Sequence, residues 1–211
     1  TLGVSEAARL GNRQLHIRLA VDHDRDALAV YVANFRPAED RVILRDVEHI
    51  IDGELGADLT PAEALWKHNA ERVDLIVAGP PCQGHSDLNN RTRREDSRNK
   101  LYLRVVRAAE ILRPKAVIIE NVPAVQHDKE RVVAQAIEWF NKNEYHVSSG
   151  VISLGRFALP QSRKRHVLLA LSNPGSFDLD ELDDVDTPPP TVGEYLTGLE
   201  DEPTTRTGPL Y

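Results

Sequence analysis

Apolar strands alternate with amphipathic helices along the first 170 residues. His16–Asp22 carries Ile17, Leu19, Ala20 and Val21 and ends on an acid, which predicts a strand. Leu28, Tyr31, Val32 and Phe35 then recur at i, i+3, i+4 and i+7, one face of a helix, with Asp24 placed to cap it. Arg41–Leu44 predicts a short strand ending near Asp46. Thr60, Pro61 and Glu63 supply an N-cap, a proline at the first helical position and the acid of a capping box, for a helix reaching Asn69. Val73–Ala78 predicts a buried strand, and Tyr102, Val105, Val106, Ala109 and Leu112 mark the next helix. Ala116–Ile119 is a further strand, ending at Glu120. A helix around Val132, Ala136 and Phe140 precedes two strands, near Tyr145–Leu154 and His166–Leu171.

This alternation predicts an α/β fold built on a doubly wound, mostly parallel sheet. The last two strands have no helix between them, which predicts an antiparallel hairpin at one edge. Asn173–Pro190, rich in proline and acids, breaks the rhythm. The expected organisation is therefore one domain over 1–172, an acidic, Pro-rich linker over 173–190, and a separate segment over 191–211. That last segment opens with a short helix at Thr191–Leu199.

Hydrophobic residues make up 41% of the 211 and charged residues 28%, which excludes general disorder and fibrous repeats. No apolar run approaches the ~18 residues of a membrane span, and nothing at the start reads as a signal peptide, so no membrane partner is expected. The net charge of −7 lies in the acids of 178–186 and 191–211, and leaves +2 for residues 1–177. The acidity belongs to the tail and does not exclude a polyanionic partner. The single cysteine, Cys82, excludes an internal disulfide framework and a multi-cysteine metal site, and without an export signal points to the cytoplasm. Eight histidines lie scattered without ligand spacing, so no metal centre is expected.

In an open α/β sheet, ligands bind beyond the carboxyl ends of the strands. The expected strands deliver Asp22, Asp46, the loop Gly79-Pro80-Pro81-Cys82-Gln83-Gly84 and Glu120 to that one edge. Singly, each acid reads as a helix cap and Cys82 as a small buried hydrophobe. Two prolines that stiffen the approach to Cys82, and a glycine that frees its exit, favour a displayed thiol, and the coincidence of strand ends favours a site.

Pro81-Cys82-Gln83 after one strand, Glu120-Asn121-Val122 after the next, and Gln161-Ser162-Arg163-Lys164-Arg165 further on resemble, in order and spacing, motifs of the DNA (cytosine-5) methyltransferase family. Asp96-Ser97-Arg98-Asn99-Lys100-Leu101 is similar to the family's motif at that place. The resemblance spans residues 1–171. It implies a Rossmann-like methyltransferase fold and transfer of a methyl group from S-adenosylmethionine to carbon 5 of cytosine in DNA, leaving S-adenosylhomocysteine.

Under that resemblance Cys82 is the nucleophile, a thiolate that adds to carbon 6 of the ring. Glu120 is the acid that holds the ring nitrogen and exocyclic amine. Arg163 and Arg165, at alternate positions of an extended segment, contact the extruded base and its phosphate. The target atom lies inside a duplex, so base flipping is implied. Residues 84–100 are polar and basic on balance and read as a loop that closes over DNA through Ser86, Arg91, Arg93, Arg94 and Arg98, with Gln83 and Gln161 as DNA contacts outside the loop. His85 stands where relatives often carry an aromatic. Asp22 corresponds to the acid on the cofactor ribose, His23 to a residue packing on adenine, and Asp46 with Val47 to the adenine edge. Gly3, Gly79 and Leu101 complete that pocket.

Two departures from the family stand out. Thr1-Leu2-Gly3-Val4-Ser5-Glu6 is similar to the end of the family's glycine-rich turn, so the central first strand is missing. Thr191-Val192-Gly193-Glu194-Tyr195 resembles the segment before the target-recognition region, which does not follow. The resemblance thus implies the catalytic middle of a longer prokaryotic modification enzyme, nucleoid-associated in use, with or without a cognate restriction endonuclease system beside it. By itself this chain is expected to need either a substitute strand from elsewhere or a preceding segment outside this sequence, to bind the cofactor weakly or not at all, and to be inactive. A transfer RNA cytosine-5 methyltransferase and a non-catalytic binding module are the open alternatives.

Overall fold

A computed structural model describes residues 1–81, 101–172, 177–182, 188 and 190–197. It divides into two compact units: one comprises residues 1–73 with 110–113, and the other begins at Asp74 and holds the remaining described residues.

The first unit opens with helix α1 (Leu2–Leu10), which buries no residue. Strand β1 (Ala20–Asp22) follows, and helix α2 (Arg25–Phe35) starts where Asp24 accepts from the amides of Asp26 and Ala27, the cap expected from the sequence. Strand β2 (Val42–Leu44) pairs with β1 in parallel, Ala20 opposite Val42 and Asp22 opposite Leu44. Helix α3 (Pro61–Ala70) has the anticipated capping box, with Thr60 and Glu63 bonded reciprocally. Glu63 is fully buried because it also accepts from the Gly53 amide at 3.0 Å, so its charge is met by two backbone donors. The strand expected from His16 begins only at Ala20, because β1 pairs with β2 alone and the ladder spans three residues.

The second unit holds a four-stranded sheet. Strand β3 (Leu75–Ala78) pairs in parallel with β4 (Ala116–Asn121). Helix α4 (Leu101–Leu112) lies between them in sequence, and α5 (Val132–Lys142) follows β4. Strands β5 (His146–Ser153) and β6 (Lys164–Leu171) form the expected antiparallel hairpin, with β6 inserted between β4 and β5 in the order β3-β4-β6-β5. Burial alternates along β4 and β6, so Val117, Ile119, Leu168 and Ala170 enter the core on one face together with Val132, Ala136 and Phe140 of α5. Tyr145 closes this core, its hydroxyl donating to the Pro114 carbonyl at 2.7 Å and its ring meeting Phe140 at 5.2 Å.

β3 is an edge strand of its sheet, and its four apolar residues leave Val77 half exposed. Such a run is typical of strands covered on both faces. A substitute strand, one of the two expected ways of completing the sheet, is not found among the described residues. Two further segments were not foreseen: a 3-10 turn at Pro123–His127, which buries Val125, and another at Leu179–Glu181 within the expected linker, which buries Leu179. Helix α6 (Val192–Leu196) is short and capped by Thr191 and Glu194.

Candidate active site

The residues singled out at Glu120 and at 161–165 converge in the second unit. Alternation along β4 puts Glu120 on the face opposite Val117, Ile119 and Asn121. The antiparallel register sets Val167 across from Glu120, so Arg165, two residues away on the same face, is its diagonal neighbour. Arg165 Nε stands 2.5 Å from Glu120 Oε1, and its Nη1 donates to the Lys164 carbonyl at 2.8 Å. Two anchors fix the guanidinium plane. The Arg165 side chain is 20% exposed and that of Glu120 47%, so the pair orients the carboxylate more than it stabilises the fold.

Asn121 works on the buried face. Its Nδ2 donates to the Pro80 carbonyl at 3.3 Å and its Oδ1 accepts from the Val122 amide at 2.8 Å. The segment leaving β3 is thereby tied to the end of β4. Gly79 belongs to the same junction: a Cβ there would stand 3.5 Å from Glu120 Oε2. The Arg163 carbonyl accepts from the Leu154 amide at 2.9 Å and closes the hairpin mouth.

Two cavities meet at this junction. An open cleft of about 530 Å³ takes its polar lining from Glu120, Gln161, Arg163 and Arg165, and its apolar lining includes Leu154, Phe157 and Val167. A smaller cavity of about 180 Å³ lies between Gly79-Pro80-Pro81 and Asn121-Val122, and shares Glu120, Arg163 and Arg165 with the first. A carboxylate and two guanidinium groups beside apolar walls suit a flat ring with donor and acceptor edges and an attached anion.

The first unit carries its own pair of strand-end acids. Asp22 and Asp46 follow the adjacent parallel strands β1 and β2. Asp22 Oδ1 accepts from the Asp24 amide at 2.9 Å and lies 3.4 Å from His23 Nδ1. Asp46 Oδ1 accepts from the Glu48 amide at 3.0 Å and caps the 3-10 turn Val47–His49. Each carboxylate thus uses Oδ1 locally, and Oδ2 remains to accept a hydroxyl or an amine. That chemistry fits a ribose and an adenine edge. His23 is exposed, and a Cβ at Gly3 would meet nothing within 4 Å, so no close approach explains a glycine there. Gly79 and Leu101 lie in the second unit. Cys82, Gln83, Ser86, Arg91, Arg93, Arg94 and Arg98 fall outside the described residues. Among the described residues no group of three or more His, Cys, Asp or Glu could hold a metal ion. No helix among them is long and apolar enough to cross a membrane.

His166 was not singled out by the sequence. It is fully buried on β6, facing away from Glu120, with Nε2 3.0 Å from Ser149 Oγ and Nδ1 without a partner. Burial pushes its pKa down from 6.5 to about 4, so it is neutral at pH 7. The available signal was its place at an inward position of an alternating strand, where an apolar residue is expected.

Parallel strands followed by acids in the first unit, and an antiparallel hairpin beside a parallel pair in the second, make an α/β fold, and its likeness to a solved methyltransferase structure gives the class. The crystal structure of a prophage-encoded protein of E. coli, assigned as a DNA modification methyltransferase, shares this fold: TM-score 0.68 and 25% identity, covering 94% of this chain and 52% of that one. The profile of the C-5 cytosine-specific DNA methylase family matches residues 2–207, and the chain belongs to that family. It is 40% identical over 176 residues to type II methyltransferase M1.BsuMI of Bacillus subtilis (strain 168), covering 83% of this chain and 41% of the relative. With type II methyltransferase M1.HphI of Haemophilus parahaemolyticus it shares 29% identity over 185 residues, 86% of this chain and 45% of that protein. The chain spans less than half the length of these two relatives.

Proposed function

We propose that the protein methylates carbon 5 of cytosine in double-stranded DNA, with Cys82 as nucleophile and with Glu120, Arg163 and Arg165 as the groups that hold the extruded base. The observation that carries this reading is the Glu120–Arg165 pair at the meeting of two cavities, one of them lined by Pro80 and Pro81 immediately before Cys82. A cytosine presents a ring nitrogen and an exocyclic amine on one edge, and a carboxyl held in a fixed plane can engage both.

The chemistry follows from the ring. Carbon 5 of cytosine is a poor nucleophile until electrons are supplied from carbon 6. The Cys82 thiolate forms a bond to carbon 6, the displaced π electrons reach the ring nitrogen, and Glu120 supplies a proton there. Carbon 5 is then an enamine carbon. S-adenosylmethionine, when bound, supplies an electrophilic methyl on a positively charged sulfur. Asp22 and Asp46 would hold its ribose and adenine edge, with His23, Val47, Gly3, Gly79 and Leu101 as the remaining contacts. After methylation, water takes the carbon 5 proton, the carbon 6–sulfur bond breaks with its electron pair going to Cys82, and Glu120 takes back the ring-nitrogen proton, which restores the aromatic ring and the thiolate. Arg163 and Arg165 counter the phosphate of the flipped nucleotide, and Gln83, Ser86, Arg91, Arg93, Arg94, Arg98 and Gln161 engage the duplex.

In this reading residues 1–172 carry the catalytic chemistry, and residues 191–211 lead toward a target-recognition region. The two named relatives are type II methyltransferases, which supports a prokaryotic cytoplasmic setting, DNA of the nucleoid as substrate and a partner restriction endonuclease. The test uses the full encoded protein and a duplex in which 5-fluorocytosine replaces cytosine. A covalent adduct that maps to Cys82 and is lost in Cys82→Ser is the expected result, since fluorine cannot leave as a proton does. Turnover by Cys82→Ser within a hundredfold of wild type, about 2.7 kcal/mol of barrier, or an adduct on transfer RNA but not on DNA, would overturn it.

A further inference from the structure

Residues 177–182 lie across the outer strand of the hairpin and reach the cleft. Three contacts, spaced along the segment, hold them there. At one end Asp178 Oδ1 meets His146 Nε2 at 3.1 Å. In the middle the Leu179 amide donates to Ser148 Oγ at 2.9 Å, and the Leu179 side chain is buried. At the other end Arg156 Nη2 donates to the Leu182 carbonyl at 2.7 Å, while its guanidinium carbon lies 5.7 Å from the centre of the Phe157 ring. Leu182, delivered by this last bond, lines the same cleft as Glu120, Arg163 and Arg165.

We propose that residues 177–182 form a strap that makes the outer wall of the substrate cleft, and that Arg156 is the positioning residue that sets it, through the Leu182 carbonyl. The segment has a single 3-10 turn of its own, Leu179–Glu181, so local structure alone does not fix its path. Its placement depends on the anchors. His146 and Ser148 come from β5, and Arg156 comes from the turn Leu154–Phe157 that links β5 toward β6. One hairpin therefore carries Arg165 against Glu120 and also holds the wall facing them. Leu182 is the residue through which the strap touches the cleft, so its size sets how deep a ring can enter.

This proposal rests on the cleft's being the base site of the proposed function, and two measurements separate the two ideas. Hydrogen exchange followed by mass spectrometry reports the strap without substrate. Arg156→Met, which has no donor, should raise exchange over 177–182 at least tenfold and leave β6 unchanged, whereas Arg156→Lys, which keeps a donor for the carbonyl, should restore part of the protection. Equal exchange in wild type and Arg156→Met would overturn the strap.

Titration with cytidine 5′-monophosphate, followed through the methyl resonances of Leu154 and Val167, reports the cleft. Leu182→Trp, at unchanged melting temperature, should weaken the response at least fivefold. An undiminished response would remove Leu182 from the wall and overturn the proposal. No response in the wild type would instead count against the base site, leaving the exchange result to decide the strap.

Discussion

Replacing His166 by leucine should remove most of the acid sensitivity that this hairpin imposes on folding between pH 7 and 4. The imidazole has no exposed surface, one partner in Ser149, and an unpartnered Nδ1. Protonation would place a charge and an additional N–H donor where no acceptor stands. The folded pKa is about 4 against 6.5 in the unfolded chain, the cause being burial. The folded value is the lower one, so the unfolded chain takes up the proton first. Stability is therefore fully present above pH 6.5, falls as pH drops toward 4, and levels off below that. A difference of that size at 1.36 kcal/mol per unit is worth about 3 kcal/mol, against a total of ~5–15 kcal/mol for a typical domain. The substitution also leaves Ser149 without its partner, a cost of about 1 kcal/mol that does not depend on pH. Urea unfolding followed by far-ultraviolet circular dichroism, at half-unit steps from pH 7.5 to 4, measures the effect as a difference between wild type and variant. Contributions from carboxylates elsewhere cancel in that difference. Wild type should lose about 3 kcal/mol more than His166→Leu across the window. Two curves that stay parallel throughout would refute the reasoning, because they would mean that His166 is not held neutral in the folded state.

Two further outcomes follow from local geometry. Ala158 holds φ at +55° at the end of the turn Leu154–Phe157, a left-handed conformation that disfavours a Cβ, so Ala158→Gly should stabilise by about 1 kcal/mol and raise the melting temperature by a few degrees. Glu120→Gln keeps the shape beside Arg165 but removes the carboxyl proton donor; in the full encoded protein methyl transfer should fall at least a hundredfold while the affinity for duplex DNA, read by fluorescence anisotropy, changes less than threefold.

Features that depend on neighbours along the chain were readable from the residues alone. The caps at Asp24 and Thr60 were legible because a side-chain oxygen bonds an amide two or three residues on. The hairpin was legible because no helical pattern stands between its two strands. Glu120, Arg163 and Arg165 were singled out because they stand in motifs that resemble the family's in order, and β4 and β6 bring Glu120 and Arg165 to 2.5 Å. Tertiary structure alone decided the rest. The pairing of Glu120 with Arg165, rather than with Arg163, comes from the register of β4 on β6, which no local pattern encodes. The neutral state of His166 and the fixing of Asn121 against Pro80 depend on which strand lies next to which. The stretch 173–190 looked like a plain linker because its acids and prolines carry no period. Residues 177–182 nevertheless dock on the hairpin, because Leu179 finds a buried place there and His146, Ser148 and Arg156 supply partners 26 to 32 positions away in the chain. Short-range chemistry writes itself into composition and spacing, whereas contacts between distant segments exist only after the sheet has chosen its order.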